Sequence, residues 1–421
     1  MFEVIERCNF WNNPFQFNGL KRESYLEKIT SYIGNPLVKV IVGQRRVGKS
    51  YIFRMIINHL IIKLNINPKN ILYINKDLYE LDYINDSSVL ISVIDEYKSK
   101  IKPIGKVYIF IDEIQEINGW ENAVNSISQD YTAEYEVFIT GSNSNLLSTE
   151  LSTYLTGRYI LFEVFPFGFD EYCDFYNIAK NKDSFLRYVQ ESGMPETLHF
   201  KENELKRNYL SSLKDSILLK DIVNRYKVRD TVILERLVNF LIDSVGSFFS
   251  TNKIVKFLTS NKIKTNNETI SNYLAFIENT FFIHGVEKFD IKGKEILLNE
   301  KKYYLNDLGF KYYLTSGFDK NLSRYLENII YLNLRRNGYS VSVGRIKDKE
   351  IDFVAEKNGT TQYIQVCYHL SDETVIEREF GNLQLIDDNY EKIVVSMDDI
   401  SIGNIKGIKH IQIWDFLTNN T

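Results

Sequence analysis

The sequence predicts an α/β chain in three parts: a parallel sheet built around a phosphate-binding loop, a mainly helical segment that closes in a hairpin, and a small α/β unit. Three observations carry that prediction. Residues 43–50 spell Gly-Gln-Arg-Arg-Val-Gly-Lys-Ser, a complete G-x-x-x-x-G-K-[ST] loop. A continuous apolar run, 107–111, ends in the adjacent carboxylates Asp112 and Glu113. The apolar pattern changes near Tyr176 and again near Asp319, dividing the chain into 1–176, 177–319 and 320–421.

The loop has the flanks it needs. Val38, Val40, Ile41 and Val42 form a β-branched run before it, and 51–64 is an apolar-rich stretch of helical period after it. A triphosphate needs several backbone N–H groups converging on it, so the chain must curl tightly from Gly43 through Gln44, Arg45, Arg46 and Val47 to Gly48. Gly43 and Gly48 supply the conformational freedom. The loop empties into a helix N-terminus, whose unpaired amides and positive dipole end favour the β-phosphate. The Lys49 ammonium is then placed to bridge the β- and γ-phosphates, and the Ser50 hydroxyl to ligate Mg²⁺. The first part is therefore predicted to be a P-loop NTPase sheet that takes ATP and Mg²⁺.

A phosphate loop needs a carboxylate further along the chain, and the strand ending in Asp112-Glu113 is a Walker B strand. It delivers both side chains to the C-terminal edge of the sheet, where ligands of open α/β sheets bind. Asp112 is expected to hold Mg²⁺ through water and Glu113 to orient or deprotonate the attacking water. A further strand, 136–140, should lie beside it, with Thr140, Ser142 or Asn143 sensing the γ-phosphate; an ordinary strand-end turn built from Gly141 and Asn143 is the alternative. Arg158, just before a strand over 159–164, is a candidate charge-stabilising arginine, acting in cis or from a neighbouring subunit; a solvated or ion-paired role is also open.

At 421 residues the chain exceeds one core and predicts roughly two to four domains. Its 44% hydrophobic and 25% charged content is that of an ordinary globular protein. Cys8, Cys173 and Cys367 are scattered, without zinc-site spacing, which points to a reducing cytoplasm. Neither a signal peptide nor a membrane span is expected, because the longest apolar stretch is broken by Arg54 and His59. The net charge of -4 conceals a mildly basic middle, +5 over 201–320.

That middle part reads as helices over 205–225 and 231–244, a short helix capped by Ser250 or Thr251, and another over 268–279 capped by Asn266 or Asn267. Strands 281–289 and 295–305 follow, joined by a basic tip. This is winged-helix order. Thr269, Asn272 and Ala275 would face outward on a recognition helix, and Lys288, Lys292 and Lys294 would lie on the wing, where duplex DNA is a candidate partner. Packing the first part against the last is the alternative role.

The last part reads as a helix over 323–337, strands 340–345, 350–355 and 361–368, a helix through 387 and a strand at 393–396. Glu327, Glu350, Asp352 and Gln365 fall where a restriction-endonuclease-like fold keeps its metal ligands. Phosphodiester cleavage there needs a nearby lysine as well as carboxylates. The strand instead reads Gln365-Val-Cys367, so the expected role is to hold and not to cut.

The motifs Gly-Gln-Arg-Arg-Val-Gly-Lys-Ser, Ile-Phe-Ile-Asp-Glu-Ile-Gln, Ile-Thr-Gly-Ser-Asn-Ser, Leu-Thr-Gly-Arg-Tyr, Phe-Pro-Phe-Gly-Phe-Asp-Glu-Tyr and Ser-Gly-Met-Pro-Glu occur in this order. Together they resemble the prokaryotic AAA-type ATPases, near the STAND class, that carry a C-terminal domain of unknown function with an endonuclease-like core. The resemblance covers nearly the whole chain, and its most specific parts are the blocks 165–172 and 193–196. It implies ATP at 43–50, Mg²⁺ near Ser50 and Asp112, and hydrolysis assisted by Glu113. Three functions follow: an ATPase switch, an ATP-regulated DNA-binding protein, or an ATP-dependent nuclease, which the Gln365-Val-Cys367 strand argues against. Beyond ATP, duplex DNA, a protein partner or further copies of the chain are the partners left open.

Overall fold

The computed structural model describes every residue except 1, 13–16, 18, 131–133, 145–154, 156, 316, 319–321 and 419–421, and describes 298 and 299 by backbone alone. It divides into two compact units, Met1–Val164 and Phe165–Thr421. Among the described residues, no helix is long and apolar enough to cross a membrane.

The first unit is a five-stranded parallel sheet of β1 (Val38–Val42), β2 (Ile71–Asn75), β3 (Val107–Asp112), β4 (Tyr135–Gly141) and β5 (Tyr159–Glu163), ordered β2-β3-β4-β1-β5. β1 and β3 are buried at every position, as strands covered on both faces must be. The helix after the phosphate loop runs Lys49–Asn58 and ends in a π-helical turn, His59–Lys63, so the predicted helix is one continuous piece with a widened last turn. β4 lies between β1 and β3, so the Walker B strand is one strand removed from the phosphate loop.

An edge strand offers unpaired backbone groups to other chains, and β2 is such an edge. The N-terminal segment covers it with side chains. Asn9 Nδ2 donates to the Tyr73 carbonyl at 3.0 Å while its Oδ1 accepts from Tyr73 N at 2.7 Å, and Trp11 Nε1 donates to the Ile71 carbonyl at 2.7 Å. Inside the same sheet Lys39 and Glu136 are both buried and pair at 2.6 Å, and Glu136 also accepts from Gly34 N.

The second unit holds a nine-stranded mixed sheet: β6 (Ser247–Phe249), β7 (Ile283–Asp290), β8 (Glu295–Leu305), β9 (Ser340–Ile346), β10 (Lys349–Lys357), β11 (Thr360–Val366), β12 (Glu391–Ser396), β13 (Asn404–Ile405) and β14 (Ile408–Gln412). Their order is β13-β14-β12-β11-β10-β9-β7-β8-β6. Helices Thr231–Asp243, Thr251–Ser260 and Asn267–Asn279 precede the β7-β8 hairpin, and Ser250 and Asn266 cap the second and third through side chains that accept backbone N–H bonds. Ile270, Leu274 and Ile277 are buried, as the helical period predicts.

Two features differ from the expected division. The first compact unit ends at Val164 and not near Tyr176, and β7 pairs in parallel with β9, Lys288 opposite Val343. The hairpin is thus an integral part of the sheet formed by the C-terminal strands. The predicted boundary at Asp319 lies outside the described residues.

The two most specific sequence blocks meet in the second unit. Phe167 N donates to the Gly193 carbonyl at 2.7 Å, Gly193 N to Asp307 Oδ2 at 2.6 Å, Gly309 N to Asp307 Oδ1 at 2.7 Å, and Arg336 Nη2 to the Pro166 carbonyl at 2.8 Å. A Cβ at Gly193 would stand 2.6 Å from the Phe167 carbonyl oxygen. Glycine is needed there for close backbone approach.

Candidate functional site

β1 delivers the chain to Gly43, whose φ of 151° lies in the region glycine favours. A Cβ at Gly43 would sit 2.3 Å from the Val164 carbonyl oxygen. Gly48, at φ 98°, caps the N-terminus of Lys49–Asn58. Between them Arg46 takes φ 70°, a conformation that costs a residue with a Cβ. Gln44 and Val47 are buried, Arg45 is half-buried and Arg46 is exposed. The loop is braced from outside by Arg22, itself buried, whose Nη1 donates to the Val47 carbonyl at 3.1 Å. This tight concavity at a helix N-terminus is the cradle a phosphate requires.

Lys49 is buried and its Nζ donates to the Gly43 carbonyl at 3.1 Å and the Gln44 carbonyl at 3.2 Å, with Glu113 Oε1 at 3.4 Å. The cation is held in the loop by groups that a phosphate oxygen can replace. Asp112 Oδ2 accepts from Tyr73 Oη at 3.0 Å, Oδ1 accepts from Thr140 Oγ1, and the carboxylate also accepts from the Ser50 hydroxyl. Burial, then the neighbouring Glu113 charge, pushes the Asp112 carboxyl above its ordinary range, against the hydrogen bonds from Thr140 and Ser50. Ser50 and Asp112 thus bring two hard oxygen donors together, a set that fits Mg²⁺.

Glu113 takes the left-handed conformation at φ 55°, and its N–H donates to Thr140 Oγ1 at 2.9 Å. That backbone turn aims the carboxylate back at the loop. Burial alone would raise its pKa, yet the Lys49 charge, the Gln115 amide, Arg45 and Ser142 together hold it below the usual carboxylate range. A general base that stays ionised is ready to accept a proton.

Of the residues expected at the end of β4, Thr140 is fully buried and serves Asp112 and Glu113, whereas Ser142 stands 3.4 Å from Gln115 Nε2. Arg158 is elsewhere. Its carbonyl accepts from Val38 N, at the start of β1, while the loop lies beyond Val42 at the other end of the strand. Four strand steps, about 13 Å, separate the two edges. Arg158 is exposed at that far edge, and the structure does not bring it together with Lys49, Ser50, Asp112 and Glu113. Arg22, Tyr73 and Gln115 were not foreseen; Gln115 had one signal, its place two residues after Glu113.

In the second unit the expected carboxylates do gather, around a lysine that the sequence did not single out. Lys302 Nζ, on β8, lies 2.6 Å from Glu327 Oε2 and 2.9 Å from Glu350 Oε1, and Tyr304 Oη donates to Glu327 Oε2 at 3.1 Å. Asp352 Oδ2 accepts from Val366 N at 2.7 Å, and burial followed by the Glu327 charge pushes its carboxyl well above the ordinary range. Burial favours neutral Lys302, but Glu327, Asp352 and Glu350 hold it charged. Cys367 is a buried thiol whose pKa burial raises, with no reactive character. Among the described residues, no group of three or more His, Cys, Asp or Glu is arranged to hold a metal ion.

Comparison with known proteins adds the following. Residues 35–173 match the model of an AAA domain, and residues 182–321 match a domain of unknown function (DUF8612). An uncharacterized protein of Haemophilus influenzae is 36% identical over 406 residues, spanning 94% of this chain and 98% of that protein. An uncharacterized protein of Methanocaldococcus jannaschii is 31% identical over 394 residues, spanning 85% and 84% respectively. A structure of the Aeropyrum pernix Orc1 protein in complex with DNA aligns at 13% identity and a TM-score of 0.34, over 72% of this chain and 94% of that one. That last likeness is too slight to bear on function.

Proposed function

The chain belongs to the family of its Haemophilus and Methanocaldococcus relatives and carries an AAA domain, and on that premise we propose that it binds ATP with Mg²⁺, hydrolyses it and acts as a nucleotide-dependent switch. The observation that carries this reading is the convergence of Lys49, Asp112 and Glu113 on one phosphate loop. Backbone N–H groups of 44–50 and the helix N-terminus would hold the β-phosphate, and Lys49 would turn from the loop carbonyls to the β- and γ-phosphates. Ser50 and Asp112 would hold Mg²⁺, which when bound neutralises charge on the phosphate oxygens. Glu113, no longer paired with Lys49, is then placed to take a proton from the attacking water.

The Lys49–Glu113 pair gives the switch a physical form, since the two groups face each other only until a phosphate competes for the lysine. Lys49→Ala should abolish ATP binding and leave the fold intact, because the lost charge serves the loop and not the apolar core. Calorimetry on the purified variant tests this, and unchanged ATP affinity would overturn the assignment.

In the second unit, the order of helix, β6, two helices and hairpin supports a winged helix, and an endonuclease-like core would follow it. DNA binding is the second reading, favoured by exposed Asn272 and Ala275 on the helix Asn267–Asn279. Against it, Lys288 lies 4.1 Å from the centre of the Phe248 ring and 3.8 Å from Glu300, so this wing lysine is already engaged. A gel shift with duplex DNA across a salt series separates the two readings: true phosphate contacts weaken steeply with salt.

A further inference from the structure

We propose that Gln115 is part of the hydrolytic machinery, a residue that fixes the Glu113 carboxylate with its amide N–H and offers its amide oxygen to the attacking water. The inference rests on the ATPase reading above. The two oxygens of Glu113 have different partners. Oε1 faces Lys49 at 3.4 Å, and Oε2 accepts from Gln115 Nε2 at 2.5 Å. When Lys49 turns to a phosphate, Oε1 is freed, while Oε2 stays tied to Gln115. The carboxylate therefore keeps its orientation when it becomes available as a base.

The other end of the amide is the second observation. Gln115 Oε1 is shielded from solvent and accepts no hydrogen bond from the described residues. A buried acceptor of this kind is uncommon, and it is tolerated where something other than the resting protein satisfies it. Here it lies on the side chain that already binds the candidate base. A water molecule that donates one hydrogen to Gln115 Oε1 and the other to Glu113 Oε1 is oriented at two points.

The same Nε2 stands 3.4 Å from Ser142 Oγ, at the end of β4. Gln115 thus joins the base to a candidate γ-phosphate sensor.

In the step itself the water oxygen forms a bond to the γ-phosphorus and the bond to the β,γ-bridging oxygen breaks. The electron pair leaves on the diphosphate, and the water proton held at Glu113 Oε1 passes to that carboxylate. No further reactant is needed.

The test is steady-state turnover and ATP affinity for wild type, Gln115→Met, Glu113→Gln and the double variant. Methionine keeps the length of the side chain and removes both polar ends. The expected result for Gln115→Met is a kcat at least about tenfold lower, with KM and calorimetric ATP affinity within about twofold of wild type. Retained affinity also shows that the loop is folded. The double variant should be no slower than Glu113→Gln alone, because residues that act as a unit are not additive. Wild-type kcat in Gln115→Met, with turnover lost in Glu113→Gln, would overturn this inference and leave the ATPase reading standing. Multiplicative losses in the double variant would also overturn it. Wild-type protein that binds ATP without turning it over would overturn the hydrolysis reading and this inference together.

Discussion

Thr140 shows how much one buried hydroxyl can organise. It donates to Asp112 Oδ1 and accepts from Glu113 N at 2.9 Å, so a single side chain on β4 sets both the Asp112 carboxylate and the left-handed turn at Glu113. Thr140→Val keeps the shape and removes both bonds, leaving a buried N–H without its partner. The expected cost is about 1–3 kcal/mol of stability. A fall in kcat should exceed any fall in ATP affinity, because the phosphate loop itself is untouched. Thermal unfolding together with turnover checks this, and a variant as stable and active as wild type would contradict it. The same residue marks the limit of what the sequence discloses at this scale. Gly43, Gly48, Lys49, Ser50, Asp112 and Glu113 are legible as one constellation because spacing along the chain picks them out, and the fold brings Lys49, Ser50, Asp112 and Glu113 together. Thr140 is legible only as one of three strand-end candidates, with Ser142 and Asn143, beside the alternative of an ordinary turn, since its position is visible but the direction of its side chain is not. Tyr73, Arg22 and Lys302 act across distant segments, and no local pattern distinguishes a tyrosine on β2 or an arginine before Glu23–Thr30 from its neighbours. Lys302 sits 25 residues before Glu327 and 48 before Glu350, so the pairing existed only in the fold.

Among the elements, periodicity served well where one face is buried. The helices 231–244 and 268–279 and the strands 107–111 and 295–305 were found nearly to their ends. Both predicted helices 51–64 and 205–225 contain π-helical stretches, His59–Lys63 and Ile217–Asn224, which the 3.6-residue period cannot reveal. β2 and β14 were not foreseen, being short runs flanked by polar residues. The specific blocks 165–172 and 193–196 find a structural explanation in the connection closed by Asp307. Burial pushes that carboxyl up to about 6, against hydrogen bonds from Ser192 and the amides of Gly309, Gly193 and Met194. The folded state then binds the proton more tightly than the unfolded chain, whose aspartate has the ordinary value of 3.8. This group's contribution is fully present below about pH 4 and is lost as pH rises through about 6, a change on the order of 3 kcal/mol. Asp307→Asn cannot titrate and should flatten that part of the profile. Melting temperature measured from pH 4 to 7 in both proteins checks it; parallel profiles would assign the slope to other groups.

For the molecule as a whole, the sheet is what the sequence discloses least. The hairpin read as a possible wing, or as packing between the other parts, is paired on both sides, by β6 through β8 and by β9, so the middle and last parts share one sheet. Sequence patterns define each strand but not which strand it pairs with, and parallel pairing of β7 with β9 across some fifty residues leaves no local trace. The same continuity carries Lys302 into the carboxylate cluster. With that ammonium bonded to Glu327 and Glu350, and the Asp352 carboxyl pushed well above its ordinary range, the cluster is engaged within the protein. We expect no Mg²⁺- or Mn²⁺-dependent cleavage of duplex DNA, with or without ATP. A plasmid-nicking assay against Asp352→Ala checks this, and nicking lost on that substitution would restore the nuclease reading. Hydrolysis of ATP with Glu113 as the base is tested most directly by turnover of ATP with Mg²⁺ in wild type and Glu113→Gln, alongside ATP affinity. Binding should be unchanged and turnover at least about tenfold slower in the variant; equal turnover in the two proteins would show that Glu113 is not the base.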